Sequence, residues 1–370
     1  MKPVTLIIAL VFFSACVQQQ AVRKPVHQPA RRTAAVAPVS PAIPDSVCIA
    51  AVGDIMLGTS FPDNRTLPPD SARNSFANVA DEFKGADITF GNLEGALLDG
   101  GKPAHYKMHL ASKGYLFRMP VSYSGVLKDA GFNLLSLANN HIGDFEENGR
   151  KGTMWTLDSV GINYGGQLSH PSAIFKIKGY KFGFCAFAAS AGTLSILDLK
   201  QASAIIHDLK QQCDVVIVSF HGGGEGAKYE HVPFAMESFY SEKRGDVNAF
   251  AHNAIDAGAD VLLGNGPHVC RAMEVYKNRL IAYSLGNFCT YRSVSIAGIC
   301  SLAPLLKVYV NKKGEFLSGR ILSNVQSRTN GLQPDSSNRA ANRIKMLTRA
   351  DFEQPGLSIN DGGVITPVKN

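Results

Sequence analysis

The sequence lacks the features of several large protein classes. No CxxC pair occurs and the seven cysteines are irregularly spaced, which excludes a zinc-finger reading. No GK[ST] follows the glycines of HGGGEGAK, which argues against a nucleotide-binding phosphate loop there. The apolar run VTLIIALVFF, near the N-terminus, is too short to cross a bilayer as a helix. There is a single tryptophan, Trp155, in a helix-like stretch, where it is read as core. Acid is missing from the first 44 residues, which carry Lys2, Arg23, Lys24, Arg31 and Arg32. From Ser46 onward, 32 Lys and Arg stand against 29 Asp and Glu, a net charge of only +3. The basic face of a nucleic-acid binder is therefore absent, and no nucleic-acid partner is expected.

What is present is globular. Hydrophobic residues make up 45% of the 370 positions and charged residues 18%, enough for one large domain or two ordinary ones. The N-terminus reads as an export signal: Lys2, then the apolar run, then small residues before Cys16. The FSAC ending resembles a bacterial lipobox, with Phe13 where an aliphatic residue is usual. This implies a signal over 1–16 and lipidation at Cys16. Residues 17–46 hold five prolines and few large apolar side chains, the composition of an extended tether. The predicted location is the bacterial cell envelope, anchored to a membrane by lipid. The six later cysteines sit mostly in apolar runs and read as small buried hydrophobes. Pairing of Cys289 with Cys300 is left open.

From Val47 on, apolar runs alternate with helix-like stretches. CIAAVGDIML, ADITFGNLEG, FNLLSLANNH, CDVVIVSFHGG and ADVLLGNGPHV read as strands. SARNSFANVADEFKGA, VSYSGVLKDAGF, RKGTMWTLDSVG, LKQASAIIHDLKQQC and DVNAFAHNAIDAGA read as helices. Hairpins are expected to turn at Lys178-Gly179, at Asn278 and at Lys313-Gly314. The alternation predicts an α/β core with partly parallel sheets, and the hairpins add antiparallel strands. Residues 335–353 read as a terminal helix, followed by an extended tail.

Five strand ends carry polar groups: GDIML (Asp54), GNLEG (Asn92, Glu94), ANNHIGD (Asn139, Asn140, His141, Asp144), FHGGGEG (His221, Glu225) and GNGPHV (Asn265, His268). Amides and imidazoles after buried strands need partners. In open α/β sheets, ligands bind beyond the carboxyl ends of the strands, so these residues can converge at one edge. The set mixes carboxylates, imidazoles and amide oxygens without a thiolate. It suits manganese, iron or zinc, as one ion or two. Arg118 in YLFRMP is a candidate for holding an anionic group. Glu225, four residues after His221, is a candidate partner behind a ligand.

GDIML, GNLEG, LANNHIGD, HGG and GNGPHV with LIAYSLGNF, in this order, resemble the CapA family of poly-γ-glutamate capsule-synthesis proteins over residues 47–325. The resemblance implies a fold like the calcineurin-like metallophosphoesterases: an α/β, two-sheet mixed β sandwich flanked by helices, in αββα layers. Residues 326–370, beyond the resemblance, are read as a C-terminal helix and tail. By the same resemblance, Asp54 and His268 would hold a first ion, and Asn140 and His221 a second. Glu94 would lie near the bridging position, supported by Asn92, with Asn139 beside it. His141 would be the acid or transition-state donor. Two positions depart: Met56 stands where phosphoesterases carry a histidine, as is usual in the CapA family, and Asn265 replaces the first histidine of the GHxPH motif usual in relatives.

Two functions follow as expectations. One is an envelope-anchored, metal-dependent hydrolase acting on phosphoester or γ-glutamyl bonds. The other is a non-catalytic binding or assembly factor for an anionic surface polymer, which the Met56 and Asn265 departures favour. The expected partners are an anionic polymer or phosphoester, the membrane, and membrane proteins of capsule synthesis.

Overall fold

The computed structural model describes residues 46–111 and 115–368. The predicted signal, Cys16 and the tether up to Asp45 lie outside the described residues.

Two mixed sheets lie face to face. The first has ten strands, ordered Leu357–Ile359, Val364–Pro367, Phe316–Ser327, Leu302–Val310, Val47–Met56, Ile88–Leu93, Leu134–Ser136, Asn163–Gly165. Asn287–Thr290 also pairs with Val47–Met56, and Gly331–Pro334 with Phe316–Ser327. The second has seven strands, ordered Met273–Tyr276, Arg279–Ala282, Val261–Asn265, Val215–His221, Tyr180–Ala188, Ser172–Ile177, with Leu194–Ser195 at its side.

The alternation of side chains along a strand explains the layers. Val47, Ile49 and Ala51 face the second sheet and share a core with Phe184, Ile217 and Leu263. Ala50, Val52 and Ile55 face the other way, toward Leu127 and Leu157 of helices Tyr123–Asp129 and Glu146–Val160. In the second sheet Val216, Val218 and Phe220 face helices Leu199–Lys210 and Val247–Asp256 through Ile206, Leu209 and Phe250. Strands buried on both faces read as continuous apolar runs, as these do. Asp198 and Asp246 start the last two helices by accepting hydrogen bonds from the backbone N–H of Gln201 and Ala249. The predicted α/β sandwich with flanking helices is therefore present, and its three hairpins turn where the sequence placed them.

The parallel strands at the centre of each sheet set the direction of the site. Val47–Met56, Ile88–Leu93, Leu134–Ser136 and Asn163–Gly165 run together. So do Arg279–Ala282, Val261–Asn265, Val215–His221 and Tyr180–Ala188. Their carboxyl ends meet across the sandwich, where Asn92 of one sheet lies 3.4 Å from His221 of the other.

Two expectations need correction. The helix predicted over SARNSFANVADEFKGA is helical only at Ala80–Phe83. Before it the chain makes successive turns, and Asp70 accepts from the backbone N–H of Ala72 and Asn74. Such side-chain bonds compete with the helical ladder, while Phe76, Val79 and Phe83 are still buried. Trp155 is 79% exposed, because its helix turns Gly149, Thr153, Thr156 and Leu157 inward instead. The C-terminal segment contains a helix, Arg339–Asp351, followed by extended chain that joins the first sheet. Val364–Pro367 pairs with Phe316–Ser327 and Leu357–Ile359 extends that edge. All six described cysteines are free and buried, so Cys289 and Cys300 do not pair here.

Candidate metal centre

Asp54 sits where the first strand changes partner. Val47–Ala51 pair with Leu302–Val310, whereas Asp54–Met56 pair with Asn287–Thr290. The switch requires a close approach at Gly53: a Cβ there would lie 1.8 Å from the Gly286 carbonyl oxygen. Asp54 N–H donates to that same oxygen at 2.9 Å. Asn92 Nδ2 donates to Asp54 Oδ1 at 2.8 Å. His268 Nδ1 lies 3.0 Å from Asp54 Oδ2 and 3.0 Å from Asn287 Oδ1. His268 takes a left-handed backbone, φ 58°, that few side chains adopt. One donor atom each from Asp54, Glu94 and His268 lies within 4.8 Å of the other two.

The Asn139–Asn140–His141 turn divides its labour. Asn139 is consumed by the fold. Its amide donates to Leu93 O at 2.8 Å and Asn92 Oδ1 at 3.2 Å, and its oxygen accepts from the N–H of His141 and Ile142. Asn140 has its oxygen buried without a partner, while its amide reaches Glu225 at 3.4 Å. His141 stacks on Phe117, with ring centroids 3.9 Å apart. Its Nδ1 lies 2.8 Å from Asp144 Oδ2 and its Nε2 lies 3.9 Å from Glu94 Oε1. Asp144 also accepts from Lys107 Nζ and from Phe117 N–H at 2.7 Å. Lys107 donates a further bond to the Asn140 carbonyl.

From the second sheet come His221, with Nε2 buried and unpartnered, and Asn265, whose amide donates to Ser219 Oγ at 3.2 Å while its oxygen has no partner. Glu225 does not back His221 as expected. It pairs with Arg244 at 3.0 Å and approaches His268 at 3.9 Å, because the glycine loop carries it past the strand end. Arg118 is also corrected. Its guanidinium donates to Ser60 Oγ, to Ser60 O and to Gly101 O, and lies over Phe61 and Phe145, so it braces loops and is not among the groove's lining residues.

The electrostatics follow from burial and sign. Burial pushes the Glu94 carboxyl well above its usual range, only partly offset by His268 and reinforced by Asp54, Glu225 and Asp144. Burial opposes charge on His268, but Glu94 and Asp54 prevail and raise it well above an ordinary imidazole. His221 is held well below the ordinary value, by burial first and then by the positive His268 and Arg244. His141 is lowered by burial despite Asp144. Asp144 resists burial through His141 and Lys107, which hold it below the usual carboxylate value.

The orphaned atoms test whether this set suits a metal. Glu94 Oε1 and Oε2, Asn140 Oδ1, His221 Nε2 and Asn265 Oδ1 are all buried without a hydrogen-bond partner. Unpaired buried polar atoms are rare and costly, and here five belong to four residues at the facing strand ends of the two sheets. Oxygen and imidazole donors with no thiolate fit a divalent ion such as manganese, iron or zinc. A groove of about 950 Å³ opens onto Asn140, His141 and His268, with Lys107, Tyr115, Tyr240 and Arg244 among its other lining residues.

Sequence reasoning missed Asn287, Lys107, Phe117 and Arg244. Asn287 had a signal: Gly286-Asn287 follows an apolar strand as Gly91-Asn92 and Gly264-Asn265 do. The other three lie in loops or a short hairpin whose position depends on the whole fold.

The model of the family described as bacterial capsule synthesis protein PGA_cap matches residues 48–292. The chain belongs to this family. Among its curated relatives is the capsule biosynthesis protein CapA of Bacillus anthracis. It is 31% identical over 283 residues, which are 70% of this chain and 63% of that protein. The PGA biosynthesis protein CapA of Bacillus subtilis is 30% identical over 262 residues, 66% of this chain and 63% of that one. The chain thus spans about 63% of the length of each. Among solved structures, a 5'-nucleotidase precursor from Thermus thermophilus aligns at 13% identity and TM-score 0.43, covering 82% of this chain and 59% of that chain. A purple acid phosphatase from yellow lupin aligns at 11% identity and TM-score 0.38, covering 78% and 52%. At these scores the likeness is too remote to carry a statement about chemistry.

Proposed function

We propose that this capsule-synthesis family member is an envelope-anchored protein that holds divalent metal and acts on phosphoester or γ-glutamyl bonds of an anionic surface polymer or its precursors. The observation that carries the reading is the set of orphaned buried atoms on Glu94, Asn140, His221 and Asn265 beside the Asp54–Glu94–His268 cluster. Asp54, Glu94 and His268 would hold one ion, and Asn140, His221 and Asn265 a second. A bound ion would supply Lewis acidity toward an oxygen of the scissile group. His141 presents Nε2 toward Glu94 while Asp144 ties Nδ1, so a proton exchanged with a ligand would pass at Nε2. Lys107 and Phe117 fix that orientation by holding Asp144 and stacking on the ring.

The test is elemental analysis of the purified chain after exposure to manganese, iron or zinc, beside Asp54→Ala and His268→Ala. Retained metal in wild type and its loss in both variants support the site. Turnover of phosphoester or γ-glutamyl substrates that depends on the metal then supports the activity. Metal retained equally by all three proteins refutes the site.

A second reading, a non-catalytic binder of an anionic polymer, is favoured by Met56. It is fully buried with Phe117 and Val294 and offers no ligand where phosphoesterases carry one. Polymer binding without turnover would select it. Anchoring is tested separately: Cys16→Ala is expected to move the protein from the membrane to the soluble fraction, and an unchanged distribution counts against a lipid anchor.

A further inference from the structure

Of the four Lys and Arg residues that line the groove, Lys243 is exposed and two are neutralised by acids. Lys107 pairs with Asp144, and Arg244 with Glu225 and Glu242. Arg150 is different. It lines the groove from helix Glu146–Val160, and among the described residues no carboxylate pairs with it. One hydrogen bond is assigned to its guanidinium, Nη2 to the Ala191 carbonyl at 2.6 Å. Its Nε is buried and unpartnered. A guanidinium has five donors in a planar fork matched to carboxylate or phosphate, so most of this capacity is unspent.

The place it occupies is built for it. A Cβ on Gly143 would lie 2.6 Å from Arg150 Nη2, and a Cβ on Gly192 would lie 2.7 Å from Cζ. Two glycines on separate loops therefore leave the space that the planar group fills. One of those loops is the turn that carries Asn140 and His141, so this cation sits beside the candidate metal centre without belonging to it. An unpaired buried guanidinium donor is costly, and an anionic ligand group would remove that cost.

We propose that Arg150 binds a second anionic group, a carboxylate or phosphate, of a ligand whose reacting group lies at the Asp54–Glu94–His268 cluster. The inference rests on the reading of that cluster as the ligand-reacting site, and it adds a requirement: the preferred ligand carries two anionic groups. Arg150 is a specificity-determining residue under this scheme.

Calorimetry on the full chain tests it with two probe series. One compares linear dicarboxylates of increasing length with the matching monocarboxylates. The other compares α,ω-alkyl bisphosphates with the matching monophosphates. Wild type is expected to favour a dianion over its monoanion in one series, which names the group that Arg150 takes. Arg150→Gln is expected to lose roughly tenfold in affinity for the favoured dianion and nothing for the monoanion. Arg150→Lys should fall between, since it keeps the charge and loses the fork. Gly143→Ala displaces the guanidinium without deleting it and should reproduce the dianion loss, which covers the case in which Arg150→Gln does not fold. Equal affinity for dianion and monoanion in wild type overturns the proposal, and so does a dianion preference that survives in the variants. Metal content of the same samples separates the two readings. Metal binding without dianion preference sinks only the role of Arg150. An Arg150-dependent preference in a chain that retains no metal sinks only the metal centre.

Discussion

Two buried acids, at opposite ends of the parallel strands, show what the fold does with charge. Asp260 precedes strand Val261–Asn265, at its amino end. One of its oxygens accepts from Lys210 Nζ and Val216 N–H, each at 2.7 Å, and the other from Arg279 Nε at 2.9 Å. Glu94 follows strand Ile88–Leu93, at the carboxyl end. It is fully buried, and neither of its oxygens has a hydrogen-bond partner. The chain thus satisfies a structural carboxylate completely and leaves another bare. Burial raises the affinity of both for a proton, but only Asp260 has cationic side chains bonded to it in compensation. A bare buried carboxylate is the mark of a place where something else is meant to bind.

The sharpest way to break this contrast is to strip a partner from a satisfied acid. Glu237 holds fully buried Arg271 through two bonds, at 2.7 and 2.8 Å. Arg271→Met leaves that carboxylate buried without its cation, held only by the Gly224 N–H at 3.0 Å, and is expected to cost about 3–5 kcal/mol in chemical denaturation. Adding Glu237→Leu should recover most of it, and no recovery would show that the cost lies elsewhere. Glu94→Gln acts on the bare acid. It should weaken manganese binding by at least about a hundredfold, yet leave the metal-free protein no less stable than wild type. A metal-free variant that melts well below wild type would show that Glu94 is satisfied after all. Asp260→Ala strands two cations and one backbone N–H, with an expected loss of about 2 kcal/mol in the same denaturation assay. A neutral result there would erase the contrast from the other side.

The smallest effect concerns Glu82, whose carboxyl is raised by burial and only partly restrained by the bond from Asn324 and the charge of Lys307. Its charged form is disfavoured in the folded state, so its contribution to stability falls as pH rises from the unfolded value through the raised one. Glu82→Gln should therefore raise the melting temperature at pH 7 slightly, by less than about 1 kcal/mol in stability. That gain should vanish as pH drops below the ordinary carboxylate value. A gain that grows in acid would reverse the sign and refute the assignment.

Much of the site was legible because strand ends are a local signal. Asp54, Asn92, Glu94, Asn140, His221, Asn265 and His268 each stand at or just beyond the carboxyl end of an apolar run, and parallel strands bring such ends together. Their individual duties were less legible. Asn139 and Asn140 are adjacent and identical in type, yet one brackets the turn and the other leaves its oxygen free. Nothing local distinguishes them. Arg118 was misplaced for a related reason: whether an arginine faces a groove or braces a loop depends on where Ser60 and Gly101 arrive. Trp155 was assigned to the core from its residue type, whereas its helix presents Leu157 and two threonines to the sheet. Lys107 had no motif at all, and its contact with Asp144 bridges 37 positions.

The sequence alone determined the alternation of strands and helices, the three hairpins and the edge at which polar groups gather. These depend on periodicity, turn residues and the direction of parallel strands, which act over a few neighbours. Tertiary structure alone decided which polar atoms were satisfied. It paired Asp144 with Lys107, Arg244 with Glu225 and Asp260 with Arg279, and left both oxygens of Glu94 and the Nε of Arg150 without a hydrogen bond. A hydrogen bond is a relation between two places in space, and only the packed sandwich puts those places side by side.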